Sequence, residues 1–371
     1  MEITVHQEML GAAFALAVVM GAVANKTNFC TMGAVSDWVN MGDTGRLRAW
    51  LLAIAVAIAG VAVLEWSGKG PIGTLTFPPY RTPNFAWVRY LLGGLMFGIG
   101  MTLASGCGNK TLVRIGGGSL KSLVVLAIAS PVAYLMLWTD FYEYAFGRWM
   151  APMTVELAKR GIASQSLGDL AAPIVGAGMN AWIGIALSAL IAIGVFASKE
   201  FRANRDNVAA GLVVGSAVAL GWYLTAGSLG QAWKEFADMS AMPPARVEVQ
   251  SFTFISPMGD AVHYLGSPGN LLLLNFGIMA LAGVVVGSAI YALAAGRFRL
   301  EWFASPGDFA RHAAGAVLMG CGGVLSMGCT IGQAVTGVST LALGSFLAFA
   351  AIVAGAALTM KVQYWLISRE P

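Results

Sequence analysis

Long apolar segments alternate with short polar stretches along the whole chain. A helix needs about 20 apolar residues to cross a bilayer. On this basis the sequence predicts nine spanning helices, at residues 8–26, 47–66, 86–106, 118–139, 180–198, 208–227, 270–295, 309–328 and 339–366. Two further apolar stretches, 28–39 and 254–264, have only about a dozen residues each, so we predict that they are re-entrant.

The pattern also repeats within the chain. The segment that ends at Gly106-Cys107 returns 222 residues later as the one that ends at Gly328-Cys329, with further glycines at matching positions. The two short stretches correspond as well, and their spacing aligns Cys30 with Ser256. Matching helices lie five crossings apart, an odd number, so the second unit should enter the membrane upside down. Inverted repeats of this kind are typical of secondary transporters.

The predicted fold class is therefore all-α. We expect a polytopic membrane protein of about nine transmembrane helices, with short re-entrant helices, in two inverted repeats. Residues 1–371 form a single integral membrane domain, with repeat one at 1–140, a connector with one transmembrane helix at 141–207, and repeat two at 208–371. Within the connector, residues 140–179 mix charges, prolines and glycines with short apolar runs, which favours an amphipathic extramembrane segment.

The composition agrees with a membrane protein. The chain is 57% hydrophobic and 11% charged, whereas a soluble domain has about 25% charged residues. The net charge of +4 is spread over loops without a basic run, which argues against nucleic acid and leaves lipid as the surrounding partner. The loops of one face have more lysines and arginines, so we expect a periplasmic N-terminus and a cytoplasmic C-terminus.

Four cysteines are the candidates for chemistry, and their spacing does not suggest a metal or haem site. No Cys-x-x-Cys occurs, and no histidine or carboxylate pair lies nearby, so we predict neither a metal nor a cofactor. Cys107 and Cys329 each follow a glycine at a helix end, and Cys30 follows the polar end of the first helix. Cys321 aligns with Ile99 in the other repeat, which favours a small core residue.

Each Gly-Cys break should place polar groups within the membrane. A broken helix exposes backbone N–H groups, which are tolerated where they line a cavity, and the start of a short helix favours an anion. A thiol is soft and polarizable, so a sulfur-bearing anion suits it better than phosphate or sulfate. The predicted substrate-binding residues are Cys30, Cys107, Cys329, Gly106, Gly108, Asn109, Lys110, Gly328, Thr330 and Gln333.

Simpler interpretations stay open for several of these residues. Small residues four apart are common where helices pack together, so the repeated glycines can serve packing alone. A single membrane cysteine is usually a core residue. Lys110 and Arg114 can equally extend to the interface without any role in transport.

Three segments of the sequence resemble the YeeE/YedE family of bacterial inner-membrane sulfur transporters. They are Asn28-Phe29-Cys30, Ser105-Gly106-Cys107-Gly108-Asn109-Lys110-Thr111 and Met327-Gly328-Cys329-Thr330-Ile331-Gly332-Gln333. The resemblance implies uptake of thiosulfate from the periplasm, with Cys30, Cys107 and Cys329 passing the ion along an hourglass-shaped pathway by S–H···S contacts. Some relatives handle other sulfur or selenium compounds, which leaves the substrate open. A small cytosolic sulfur-carrier protein of the TusA-like type is a further expected partner.

Two other functions compete with transport. A membrane thiol oxidoreductase or sulfane-sulfur relay protein would use the same cysteines, although no quinone or haem ligand pattern occurs. A purely structural subunit would not need polar breaks within the membrane. The chain also has no Gly-x-x-x-x-Gly-Lys-Ser/Thr motif for ATP. We therefore expect a permease, not an enzyme, that moves a small sulfur-containing anion.

Overall fold

The structure, a computed structural model, describes residues 4–70 and 72–368, so the outer ends of the predicted domain, 1–3 and 369–371, lie outside the described residues. Within the described part the fold is almost wholly helical. The α-helices are α1 (Val5–Lys26), α2 (Thr31–Ser36), α3 (Gly45–Ser67), α4 (Trp87–Leu103), α5 (Gly108–Gly116), α6 (Leu120–Trp138), α7 (Arg148–Met150), α8 (Leu167–Val175), α9 (Asn180–Phe196), α10 (Lys199–Ala203), α11 (Arg205–Ala226), α12 (Ser228–Met239), α13 (Ile255–Leu265), α14 (Phe276–Ala294), α15 (Pro306–Leu325) and α16 (Leu343–Ile367).

Short elements occupy the breaks and loops. π-helical segments are found at Asp37–Met41, Glu143–Gly147 and Ile331–Gly337, and 3₁₀ turns at Ala151–Met153, Leu157–Arg160 and Leu271–Leu273. The strands are β1 (Thr76–Phe77), β2 (Asn84–Phe85), β3 (Val155–Glu156) and β4 (Val249–Gln250). β1 pairs with β4 in parallel, and β2 pairs with β3 in antiparallel register, so these strands join loops that are distant in sequence.

The long helices have the length and composition of membrane spans. Seven segments are long and apolar enough to cross a bilayer by these measures: Val5–Met41, Gly45–Ser67, Trp87–Gly116, Leu120–Trp138, Arg205–Ala226, Phe276–Ala294 and Leu343–Leu366. Two of the nine predicted spans are not among them. α9 has only 17 residues, and α15 has Asp308 and Arg311 in its first turns and many glycines. The described residues thus form an all-α polytopic membrane protein, as predicted.

The predicted repeat relates each packed pair of helices to another packed pair. α1 packs against α14 as α11 packs against α3, and α4 packs against α16 as α15 packs against α6. Two contacts join matching helices directly, α4 with α15 and α1 with α11. This is the packing expected of two repeats related by a twofold pseudo-axis between α4 and α15. The exact repeat boundaries stay a prediction.

The repeated glycines allow α4 and α15 to approach closely. A Cβ on Gly100 would lie 2.7 Å from the carbonyl oxygen of Gly315, and a Cβ on Gly322 would lie 2.7 Å from that of Gly93. Real side chains do not tolerate such distances, so the two backbones touch only because both partners are glycine. The packing interpretation of these glycines is therefore correct, and the Gly-Cys ends of both helices lie near the same axis.

Contacts at the helix ends define two faces of the molecule. Near the start of α4, the hydroxyl of Tyr90 accepts a hydrogen bond from Gln165 of the connector. Just after the end of α4, the carbonyl oxygen of Ser105 accepts one from Arg114. α12 lies on the same face as the connector, where Trp233 donates to His6 in the first turn of α1. We call the face with Tyr90 and Gln165 the connector face, and the opposite face, with Ser105 and Arg114, the Lys110 face. Both predicted long loops thus lie on the connector face.

The two short apolar stretches are short helices, as their lengths predict. Residues 28–39 contain α2 and the start of the π-helical segment Asp37–Met41, whereas residues 254–264 form most of α13. Both are buried among the long helices, since α2 packs against α3 and α13 packs against α6 and α14. Short helices of this kind are tolerated at membrane depth where they are buried in protein.

Candidate functional site

Three helices end in the same turn immediately before a cysteine. α1, α4 and α15 each close with a backbone hydrogen bond that spans five residues, Phe29 to Ala24 at 3.1 Å, Gly106 to Met101 at 2.8 Å and Gly328 to Gly323 at 2.7 Å. Such a bond belongs to the Schellman motif, in which the preceding residue takes the left-handed conformation. That residue is Asn28, Ser105 and Met327 respectively, with φ of 54°, 57° and 60°.

Glycine usually occupies the left-handed position, because a side chain there costs about 1–2 kcal/mol. None of the three turns has glycine at this position. Strained backbone of this kind persists where the surrounding structure holds it, and it concentrates at functional sites. At two of the turns an arginine holds the helix end: Arg114 donates to the carbonyl oxygen of Ser105 at 2.8 Å, and Arg89 donates to that of Leu325 at 2.9 Å.

After each turn the cysteine thiol caps the next short helix. The backbone N–H of Gly33 donates to the sulfur of Cys30 at 3.4 Å, and that of Gly332 donates to the sulfur of Cys329 at 3.4 Å. The N–H of Lys110 lies against the sulfur of Cys107 in the same way. Serine and asparagine usually cap helices with oxygen, whereas here sulfur accepts the hydrogen bond at Cys30 and Cys329 and only lies close to the N–H of Lys110 at Cys107.

A chain of neighbouring side chains connects Cys30, Cys107 and Thr330, the residue after Cys329. The thiol of Cys30 lies beside that of Cys107, and the thiol of Cys107 lies beside the hydroxyl of Thr330, which follows Cys329 in the chain. Cys107, Thr330 and Cys329 are fully buried, and Cys30 is nearly so. The structure therefore brings together four of the predicted site residues from both repeats.

A cavity of about 370 Å³ leads from the Lys110 face to Cys30. We call it the cationic vestibule, because five basic residues line it: Arg46, Lys110, Arg114, Arg297 and Arg299. The ammonium group of Lys110 donates to the side-chain oxygen of Asn28 at 2.9 Å, directly over the turn before Cys30. Lys110 and Arg114 thus line the same cavity as Cys30, and their role in transport stays a prediction.

A second cavity of about 350 Å³ opens on the connector face, at the opposite end of α4. Its wall comes from the connector, through Tyr142, Glu143 and Met150, and Met327 lies on its lining just before Gly328-Cys329. We call it the connector vestibule. Arg89, stacked 4.8 Å over the ring of Tyr142, is the arginine that lines it. Cys107 and Cys329 line neither vestibule, so buried residues separate the two cavities.

Several buried polar atoms near Cys329 have no hydrogen-bond partner in the protein. They are the hydroxyl oxygens of Thr330, Thr253 and Tyr80, and the side-chain oxygen of Gln333. Native proteins satisfy the great majority of buried polar groups, so this concentration of unpaired groups marks the surroundings of Cys329 as polar. Burial also raises the pKa of the Tyr80 phenol, which keeps it protonated and able to donate. Asn109, on the Cys107 side, likewise has an unpaired side-chain oxygen.

The remaining predicted residues have mainly backbone roles. Gly106 and Gly328 form the turns described above, and a Cβ on Gly108 would meet only ordinary contacts at 3.4 Å or more. The amide nitrogen of Gln333 donates to the carbonyl oxygen of Ser326, so one end of this side chain supports the turn. Cys321 is half-buried, packs against the hydrophobic core and lines neither vestibule.

Sequence reasoning missed Thr253 and Tyr80. Both lie outside the Gly-Cys repeat, in loops that precede α13 and α4. For Thr253 the available signal was a polar residue between Phe252 and Phe254. Its relevance is visible only in the structure, where Thr253 packs against Gly332.

Comparisons with known proteins agree on one family. The family model described as "Sulphur transport" matches residues 26–358. The chain is 24% identical over 349 residues to a protein of Spirochaeta thermophila named thiosulfate transporter TsuA, an alignment that covers 92% of this chain and 94% of that protein. It is 26% identical over 323 residues to a protein of the same name from Escherichia coli, with coverage of 85% and 83%. The residues that the family model matches include all three of the turns and the cysteines that follow them.

Proposed function

The chain belongs to the sulphur transport family, and from that premise we propose that the sulfur compound it carries across the membrane is thiosulfate or a closely related sulfur-containing anion. Two relatives that match most of the chain are named thiosulfate transporters. The proposed route runs from the connector vestibule past Cys329, Thr330, Cys107 and Cys30 to the cationic vestibule.

The neighbouring thiols of Cys30 and Cys107, followed by Thr330 and the buried Cys329, carry this proposal. Conduction needs several contacts that are each weak enough to release the ion. A thiol is a weak donor with a polarizable sulfur, so it can contact the terminal sulfur of thiosulfate without the tight hydration or binding of a harder group. The contacts are non-covalent, and the pathway performs no reaction on the ion. Lys110 and the arginines of the cationic vestibule stabilise the anion where it leaves the thiols.

We further propose that the Lys110 face is cytoplasmic and that the protein lies in the bacterial inner membrane. The greater number of basic residues on that face supports this orientation through the positive-inside rule. α1 starts on the connector face and α16 ends on the Lys110 face, beside Ser105. The proposal thus places the N-terminus in the periplasm and the C-terminus in the cytoplasm. The TusA-like carrier protein, which would meet the anion on the cytoplasmic side, stays a prediction.

The test is uptake of radiolabelled thiosulfate by proteoliposomes that contain the purified protein. Sulfate, sulfite and selenite serve as competitors, and empty liposomes as the control. We expect saturable uptake that unlabelled thiosulfate abolishes and sulfate does not. No uptake above the empty liposomes, with folded protein in the bilayer, would contradict the proposal.

A second function, a sulfane-sulfur relay, is favoured by one observation, the direct contact of the Cys30 and Cys107 thiols. In such a relay a thiolate would attack the outer sulfur of thiosulfate, form a cysteine persulfide and release sulfite. Mass spectrometry of the protein after incubation with thiosulfate separates the two functions. A persulfide on Cys30 or Cys107 with stoichiometric sulfite would favour the relay, and intact doubly labelled thiosulfate inside the liposomes would favour transport.

A further inference from the structure

The residue that corresponds to Cys30 in the second repeat is Thr253. The sequence spacing aligned Cys30 with Ser256, but the packing contradicts that alignment. Phe29 stacks on Trp50 near the start of α3, with ring centroids 4.5 Å apart. Phe252 packs against Phe276 at the start of the matching helix α14, with centroids 5.4 Å apart. The residues that follow these two phenylalanines are Cys30 and Thr253.

A pair of buried aspartates gives the same alignment independently. Asp37 lies eight residues after Phe29 and accepts two hydrogen bonds from the guanidinium of Arg46. Asp260 lies eight residues after Phe252 and accepts two from Arg246, at 3.0 and 2.9 Å. Both aspartates are about 95% buried. The two arginines come from opposite sides of their aspartates in sequence, so it is the common spacing of eight residues from phenylalanine to aspartate that agrees with the aromatic contacts and places Thr253 opposite Cys30.

Thr253 also lies against the short segment that follows Cys329. Its hydroxyl lies against Gly332, where an added Cβ would come within 2.5 Å of the hydroxyl oxygen. The N–H of Gly332 donates to the sulfur of Cys329, and the N–H of Phe254, the residue after Thr253, lies against the same sulfur. The first half-site therefore pairs two thiols, Cys30 and Cys107, and the second pairs a hydroxyl with a thiol, Thr253 and Cys329.

The hydroxyl of Thr253 has no hydrogen-bond partner among the described residues although Thr253 is 96% buried. Two neighbouring buried threonines find one, since Thr336 donates to Phe252 at 2.6 Å and Thr225 donates to Gln250 at 2.6 Å, whereas Thr330 is unpaired like Thr253. An unpaired buried hydroxyl costs stability. Valine has nearly the same shape and would avoid that cost, so the hydroxyl has no structural reason to be there.

We propose that Thr253 donates its hydroxyl hydrogen to an oxygen of the transported anion while the sulfur of that anion lies against the thiol of Cys329. The proposal rests on the proposed function and adds the chemical class that the second half-site selects, an anion with both a soft sulfur atom and hard oxygen atoms. A hydroxyl suits the oxygen and a thiol suits the sulfur. Thr253 is thus a specificity-determining residue of the connector half of the pathway.

The test compares Thr253→Val with Thr253→Ser and with a matched control, Thr359→Val, in α16. The Thr359 hydroxyl is already paired with the carbonyl oxygen of Gly355 at 2.7 Å and lies in neither vestibule. All variants and the wild-type protein are compared in proteoliposomes at equal density. A hydrogen bond to a charged group typically changes affinity by about tenfold or more. We therefore expect Thr253→Val to raise the KM for thiosulfate roughly tenfold, and Thr253→Ser and Thr359→Val to stay within about twofold of wild type.

Two further measurements separate a contact with the anion from a structural role. Because the hydroxyl has no protein partner, Thr253→Val should unfold at the same temperature as wild type or higher. Sulfite, which has oxygens, should compete less well in Thr253→Val, whereas hydrosulfide, which has none, should compete as in wild type. A wild-type KM in Thr253→Val, a lower unfolding temperature, or an equal loss of competition by hydrosulfide would each overturn the proposal.

The proposed function fails in a different and recognisable way. If the wild-type protein takes up no thiosulfate, the substrate assignment falls and the role of Thr253 falls with it. If wild type takes up thiosulfate and Thr253→Val does so equally well, transport stands and only the role of Thr253 is lost.

Discussion

The two half-sites have the same backbone plan and different chemistry. In each, a helix closes in a Schellman turn, a cysteine follows and caps a short helix, and a re-entrant segment from the same repeat packs beside it. The half-site of Cys30 and Cys107 pairs two thiols and opens to a cavity with five basic residues. The half-site of Thr253 and Cys329 pairs a hydroxyl with a thiol, and the connector covers it.

The comparison separates the features that both repeats share from the features in which they differ. The turns, the close helix packing and the buried Asp–Arg pairs occur in both halves, and each has a structural reason in both. The side chains that could touch an anion differ between the halves. An anion that entered by the connector vestibule would first meet hydroxyls near one thiol, then two thiols, and finally the basic side chains of the cationic vestibule. Such an order favours selection at one end and release at the other.

The largest expected effect comes from Cys107, because its thiol touches both half-sites. Cys107→Ser should reduce thiosulfate uptake at least about tenfold at equal expression, because a hydroxyl is harder than a thiol and binds water and oxygen atoms more strongly than it contacts sulfur. The loss of one charge-assisted contact typically lowers affinity about tenfold or more. Growth of a sulfur-starved host on thiosulfate gives the first measurement and vesicle uptake the second.

Cys107→Ala is the matched comparison for that variant. If Cys107 is only a small core residue, alanine should be tolerated better than serine, because a buried hydroxyl needs a partner. If the thiol contacts the anion, both variants should lose uptake although both insert and fold. Near-normal growth with serine at this position would contradict the thiol pathway and leave transport to be explained by the broken helices alone.

The cationic vestibule should give the next largest effect. Lys110→Gln removes the charge nearest the thiols while keeping a group that can donate to Asn28. We expect thiosulfate uptake to fall about fivefold at low salt. The loss should be smaller at high salt, because dissolved ions screen the charges of the vestibule. Lys121→Gln is the control, since Lys121 lies on the same face, pairs with Asp308 at 2.9 Å and does not line the vestibule. An equal loss in both variants would mean that overall charge, and not Lys110, matters.

Much of the fold could be predicted from the sequence, because the physics behind it is local. The spanning helices were predicted by comparing the length of each apolar segment with the thickness of a bilayer. The recurrence of Gly106-Cys107 as Gly328-Cys329 indicated the repeat. The two short stretches were too short to cross, and the structure confirms short helices there. The number of spans was harder, because glycines that pack helices together also lower the hydropathy on which the prediction depends, as in α15.

The site was predicted only where its residues lie next to the repeated motif. Cys107, Lys110 and Thr330 could be found because they adjoin a Gly-Cys break. Thr253 could not, since the loop before α13 has a different length from its counterpart and spacing alone selected Ser256. Contacts between aromatic rings that are distant in sequence decided the register, and no pattern along one chain contains them.

Tyr80 offers a smaller test of the connector half. Its buried hydroxyl is unpaired, and its ring lies against Gly337 at the end of the segment that Cys329 begins. Tyr80→Phe should raise the KM for thiosulfate about threefold, less than Thr253→Val, because the hydroxyl contributes one neutral hydrogen bond of about 0.5–1.5 kcal/mol. Tyr264→Phe is the control, since that hydroxyl is exposed and donates to Pro268. An unchanged KM in Tyr80→Phe would restrict selection to Thr253.

Cys321 should show the smallest effect, and it tests whether position, not the mere presence of sulfur, gives a thiol its role. It lies in α15 eight residues before Cys329, yet no Schellman turn precedes it, no helix starts after it, and it lines neither vestibule. Cys321→Ala should leave thiosulfate uptake within experimental error and lower the free energy of unfolding by less than about 1 kcal/mol, the value of one partly buried methylene-sized group. Uptake and thermal unfolding measured beside Cys107→Ala decide the case. If Cys321→Ala loses uptake as Cys107→Ala does, a thiol outside both half-sites matters equally, and the contrast between the two ends of the pathway no longer explains transport.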